Sequence, residues 1–148
     1  MTDREQYLKD HLHTWLESAI SALEKQVDEK ERVSILESCG RACARHGRVV
    51  ADAKAIRNSG KKIDELLDKL SHETSGLVEW RKENETVHLV YKKCFCPLRR
   101  EGFVSVPNFC SCSVGWIKEV FETASGRPVR VELEQTIGRG DPVCKFIV

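Results

Sequence analysis

Cys39, Cys43 and His46 stand at i, i+4 and i+7, a spacing that on an α-helix keeps three side chains within an arc of roughly 60° at about 100° per residue. All three could reach one point. Cys94-Phe95-Cys96 and Cys110-Ser111-Cys112 each place two sulfurs two residues apart, and in a loop such pairs can face a single soft metal ion. Zinc is the plainest candidate, because thiolate and imidazole suit it; an iron–sulfur cluster, which uses the same thiolates, stands behind it. Two C-x-x-C knuckles would be a strong structural-zinc signal, whereas C-x-x-x-C and two C-x-C match no common finger. The competing reading makes several of these cysteines small buried hydrophobes. Cys144 belongs there, since it alternates in phase with Phe146. If metal binds, the expected ligands are the helix trio or the set Cys94, Cys96, Cys110 and Cys112.

The same thiols could act as nucleophiles. A thiolate beside a histidine attacks an acyl or thiazoline carbon when a cation or a helix N-terminus lowers its pKa, and Arg41, Arg45, Arg99 and Arg100 lie near the cysteines in sequence. Cys112 precedes a helical pattern starting at Ser113. In that reading Cys112 or Cys110 is the nucleophile, His46 or His88 the base, and Arg99 or Arg100 the anchor for a carboxylate.

The first half of the chain reads as helix throughout. Leu8, Leu12, Trp15, Leu16, Ala19, Ile20 and Leu23 form an amphipathic stripe between Thr2 and Val27, with Thr2 and Glu5 spaced as a capping box. Asp28 suits the cap of a second helix carrying Val33, Leu36 and Cys39, locally weakened by Gly40 and Gly47. A third helix is predicted over 48–58 and a fourth over 62–71. From Gly76 the pattern changes: 77–81 and 86–91 are rich in β-branched and aromatic residues, with Lys82-Glu83-Asn84-Glu85 as a hairpin turn. The cysteine-bearing loop follows, then a helix over 113–125 ended by Gly126. Strands over 129–134 and 143–148 flank the turn Gly138-Arg139-Gly140-Asp141-Pro142. Trp15, Trp80 and Trp116 read as core. The expected fold is α+β: N-terminal helices (1–75) packed on one face of a small antiparallel sheet (76–148, strand, strand, helix, strand, strand), all in one domain over 1–148.

Composition narrows the class. The 148 residues include 24 basic and 23 acidic side chains, a net charge of +1, too balanced for a general nucleic-acid binder. No apolar run approaches the roughly 20 residues that cross a bilayer, and Met1-Thr2-Asp3-Arg4-Glu5 is no secretory leader. A cytoplasmic protein with reduced thiols is expected. Seven cysteines, an odd number, exclude complete disulfide pairing within one chain.

The C-terminal third carries a resemblance. Cys112-Ser113-Val114-Gly115-Trp116, Gly126-Arg127-Pro128-Val129-Arg130-Val131-Glu132 and Gly140-Asp141-Pro142-Val143-Cys144-Lys145-Phe146-Ile147-Val148 resemble the 4-vinyl reductase-type domain, with its Gly-Asp turn and Cys-x-Phe strand. The superfamily includes vesicle-tethering transport-particle subunits. The ending is also similar to that of the L-2-amino-thiazoline-4-carboxylate hydrolase family. The resemblance implies helices on one side of an antiparallel sheet, frequent dimers, and a pocket for a small apolar or aromatic ligand between the layers. It also implies cysteines proposed to bind metal. Thr136 stands where that pattern usually has a further cysteine.

The leading expectation is a small-molecule-binding or sensory module with a cysteine-rich, zinc-capable site, contacted by Tyr91, Arg99, Phe103, Phe109 and Trp116. The cysteine hydrolase, with Cys112 and His46, is the alternative. A purely structural subunit dimerising through an apolar helix face is the third reading.

Overall fold

The computed structural model describes all 148 residues. Four helices come first: α1 (Asp3–Gln26), α2 (Glu29–His46), α3 (Val49–Asn58) and α4 (Ile63–Glu73). Thr2 and Glu5 do form a capping box at the start of α1, and the Asp28 side chain accepts the Glu31 amide at the start of α2. Strands β1 (Val78–Glu83) and β2 (Thr86–Tyr91) pair as a hairpin. The connection then forms a single helical turn, α5 (Pro97–Arg100), and a 3-10 turn over Pro107–Ser111. Helix α6 (Cys112–Ser125), strand β3 (Glu132–Gln135), a 3-10 turn over Ile137–Arg139 and strand β4 (Cys144–Ile147) complete the chain. The sheet is antiparallel in the order β1-β2-β4-β3. The α+β expectation, with helices on one face of the sheet, is met.

Two strand boundaries moved for identifiable reasons. The hairpin turn is only Asn84-Glu85, with Asn84 at φ 55°, a left-handed conformation that asparagine tolerates better than most side chains. Strand β3 begins at Glu132 rather than 129, because Glu132 already pairs with Ile147, the last residue of β4. Val129 and Val131 therefore have no ladder to join.

Alternation along the strands sends Val87, Leu89 and Phe146 to the helical side, where they meet Ala53, Leu66, Leu67, Ile117, Val120 and Phe121 in the main core. A smaller cluster of Leu36, Val104, Val106 and Phe109 lies under α1, which covers it with Leu16, Ile20 and Leu23. The rest of α1 departs from the predicted stripe. Tyr7, Leu8, Leu12 and Trp15 are exposed, Trp15 to 64%, so Trp15 is no core residue. The 103–109 loop reaches only part of that helix, at His13, whose Nδ1 is 3.1 Å from the Phe103 carbonyl, and at Glu17, which accepts the Ser105 amide.

Helices α2 and α6 make the most extensive interhelical contact in the chain, and two glycines set their separation. Gly40 of α2 lies against the Cys112 carbonyl, and Gly115 of α6 against the Glu37 carbonyl. Ion pairs flank the crossing: Arg41 reaches Glu122 at 2.8 Å and Glu119 at 3.0 Å, and Lys118 reaches Glu37 at 2.8 Å. Hydrogen bonding to Glu122, ahead of that to Glu119, raises the Arg41 pKa. The Arg41 hydrogen bond lowers that of Glu122; at Glu119 burial works upward but the bonds from Arg45 and Arg41 prevail. Carboxylates held low stabilise the fold above their ordinary pKa and cease to as pH falls through the lowered one. Arg41→Met is therefore expected to cost about 1–2 kcal/mol near pH 7. The difference from the parent protein should shrink below about pH 4 as the acids protonate; urea unfolding at both pH values measures it.

Candidate functional site

The connection from β2 to α6 brings the cysteines of both halves into one region. Cys112 opens α6 against Gly40 and packs with Cys96 on the Leu36 cluster. Burial, followed by the neighbouring thiols of Cys96, Cys110, Cys43 and Cys39, pushes its pKa up to about 12. Cys144 packs on the main core, takes the Ile137 amide at 3.4 Å, and has its pKa raised by burial first; nearby Cys110 and Cys94 add to the rise, while the Ile137 bond and Arg99 oppose it. The halves thus meet.

Meeting does not make a metal site. No group of three or more His, Cys, Asp or Glu side chains is arranged to hold a metal ion. Cys39, Cys43 and His46 sit on the exposed side of α2. Among the four loop cysteines, Cys96 and Cys112 pack with the Leu36 cluster, Cys94 lies toward Cys144, and Cys110 stands near both Cys112 and Cys144. As placed, no three of these side chains form a group that could hold zinc or an iron–sulfur cluster.

The residues of the nucleophile reading lie apart. With its pKa near 12, Cys112 stays a thiol at neutral pH. His46 lies six residues beyond Gly40, about 9 Å along the helix axis from the point where Cys112 touches α2. His88 occupies the sheet face opposite the helices, alternating with buried Val87 and Leu89, and its Nε2 is 3.4 Å from Glu83. Arg99 is committed within the loop, donating to the Val106 carbonyl at 2.7 Å and to Cys110 Sγ at 3.2 Å, while Arg100 is exposed.

The predicted ligand-contacting aromatics are packing groups. Tyr91 meets Phe95 edge-on and Phe146 at a tilt, Trp116 packs against the main core, Phe109 is buried in the Leu36 cluster, and Phe103 lies under Lys9. A cleft opens elsewhere, at the junction of the helical layer and the sheet. It encloses about 570 Å³ between the start of α4, the β1–β2 turn, the end of α6 and the segment leading to β3. Its apolar wall is Ile63, Val87, Phe121, Val129 and Val148; Lys82, Arg127 and Arg130 stand around it with a single carboxylate, Glu85. Phe121 and Val87 are core residues with one side turned to the opening. A depression along α1 at Glu17, Ser18, Ser21, Ala22, Lys25 and Gln26 has one apolar residue and no second element, so it lacks the walls of a binding site. The cleft residues escaped sequence reading because they come from four separate elements.

A helical layer on one face of a four-stranded antiparallel sheet, with a cleft at their junction, places the chain in a fold class that also contains a solved sensory domain. The crystal structure of the phenol-responsive sensory domain of the transcription activator PoxR with phenol matches with a TM-score of 0.59 at 13% identity, covering 91% of this chain and 72% of that one. It is one of eight solved chains that match; at this identity the likeness is one of fold. The chain belongs to the family of unknown function DUF6144, whose model matches residues 2–148. No curated protein matches the sequence, and no helix is long and apolar enough to cross a membrane.

Proposed function

We propose that this chain is a small-molecule-binding, sensory-type module whose ligand occupies the cleft between α4, α6 and the β1–β2 turn. The observation that carries the reading is the cleft's make-up. About 570 Å³ falls within the range of small-molecule sites, which combine an apolar lining with a few polar groups that orient the ligand. The fold shared with a phenol-responsive sensory domain supports the same reading. The thiols around Cys112 serve packing in it, tying the β2–α6 connection to α2.

Ser125 is exposed at the mouth of the cleft, so Ser125→Trp fills the opening without disturbing the core. A panel of small aromatic compounds, neutral and charged, tested by thermal unfolding and equilibrium binding, checks the proposal. A compound present at about 100 times its Kd should stabilise the protein by about 2.7 kcal/mol, and Ser125→Trp should abolish that gain while folding normally. Stabilisation that Ser125→Trp leaves intact would place the ligand elsewhere.

A further inference from the structure

We infer that the cleft selects a small organic carboxylate, an apolar body with one anionic end; this rests on the cleft being the ligand site. The argument is the distribution of charge around the apolar floor. Three cations, Lys82, Arg127 and Arg130, border it against one acid, Glu85, in a chain whose charges otherwise nearly cancel. Elsewhere Arg41, Arg45, Lys69, Lys118 and Lys145 reach carboxylates, whereas other basic side chains stand alone on the surface without an apolar floor beside them. At the cleft, Lys82 has a distant partner in Asp64 at 3.6 Å, and neither Arg127 nor Arg130 is within ion-pair distance of any carboxylate. A further guanidinium, that of Arg57, lies over Gly126 at the same end of α6, where a Cβ would meet it at 2.6 Å.

Guanidinium groups present a planar fork of donors that matches a carboxylate with two parallel hydrogen bonds, and such charge-assisted bonds are stronger than neutral ones. The apolar floor of Val87, Phe121 and Val129 would take the body of the ligand, leaving its anionic end toward the arginines. A bare inorganic anion would leave that floor wet. A neutral aromatic would leave the arginines without a partner.

Benzoate, benzyl alcohol and inorganic phosphate are suitable probes, titrated against the full chain, the Arg127→Gln, Arg130→Gln double variant and Ser125→Trp. Both arginines are exposed, so the double variant should fold as the parent does, checked by circular dichroism and unfolding. The expected result is that benzoate binds about tenfold or more tightly than benzyl alcohol, weakens with added salt, loses about tenfold in the double variant, and is excluded by Ser125→Trp. Equal binding of benzoate and benzyl alcohol, unaffected by the double variant but blocked by Ser125→Trp, would overturn the carboxylate inference and leave the cleft as the ligand site. Phosphate binding as tightly as benzoate would also overturn the inference, because the apolar floor would then contribute nothing. Absence of saturable binding of all three probes in the millimolar range would overturn the inference and count against the cleft reading with it.

Discussion

Gly40→Ala and Gly115→Ala are each expected to destabilise the protein by about 3 kcal/mol, despite replacing the poorer helix former with the better one. A methyl group on Gly40 would lie 1.7 Å from the Cys112 carbonyl oxygen, and one on Gly115 would lie 1.9 Å from that of Glu37. Both obstacles are backbone, so no side-chain rotation relieves them, and α2 and α6 would have to separate. The Arg41 and Lys118 ion pairs across the same crossing oppose that separation. Helix α6 also carries Phe121 on the wall of the cleft, so the same substitutions should weaken ligand binding. Gly47→Ala is the control: its nearest neighbours would be at 3.5 and 3.8 Å, ordinary contact distances. Urea midpoints of the three variants should show two large losses and one small change.

The second large effect is alkaline lability through Cys112. Its pKa rises from the ordinary 9.0 to about 12 in the folded chain, chiefly by burial. Below pH 9 the thiol is protonated in both folded and unfolded states, and the stabilisation this difference represents is fully present. Between pH 9 and 12 the unfolded thiol ionises while the folded one resists, so stability should fall by roughly 4 kcal/mol across that window. Half-buried Tyr91, whose pKa is also raised by desolvation and by Cys144, acts in the same direction at still higher pH. Cys112→Ala should remove most of the slope above pH 9, measured as the urea midpoint at a series of pH values. A thiol trap at neutral pH provides a second readout: exposed Cys39 and Cys43 should be modified first and Cys112 last, on the timescale of global unfolding.

What the sequence made legible was local. The capping box at Thr2 and Glu5, the Asp28 cap, the left-handed end of α6 at Gly126 and the alternation of Val87, Leu89 and Tyr91 are each decided by neighbours a few residues away, and the structure reproduces them. Gly40 shows the boundary. Read alone it weakens a helix; only the approach of α6 makes it the residue that lets two helices touch. The candidate site meets the same boundary. Cysteine spacing suggested convergence, and the cysteines do gather, with Cys110 near both Cys112 and Cys144, but no three of them form a group that could hold a metal ion. Phe109 is buried in the smaller core, and Tyr91 and Trp116, half-buried, pack against the main one. Arg127 and Arg130 have no distinguishing pattern along the chain, since what sets them apart is the Val87 and Phe121 wall brought beside them by tertiary packing.

The most direct measurement is an amide proton–nitrogen correlation spectrum of the full chain titrated with benzoate. The expected result is saturable shifts confined to the residues around the cleft, Lys82 to Val87, Phe121 to Arg130 and Val148, with those near Cys39 and Cys112 unmoved. Shifts centred on Cys112, Tyr91 and Phe109, or no saturable shift at all, would contradict the assignment of the cleft as the ligand site.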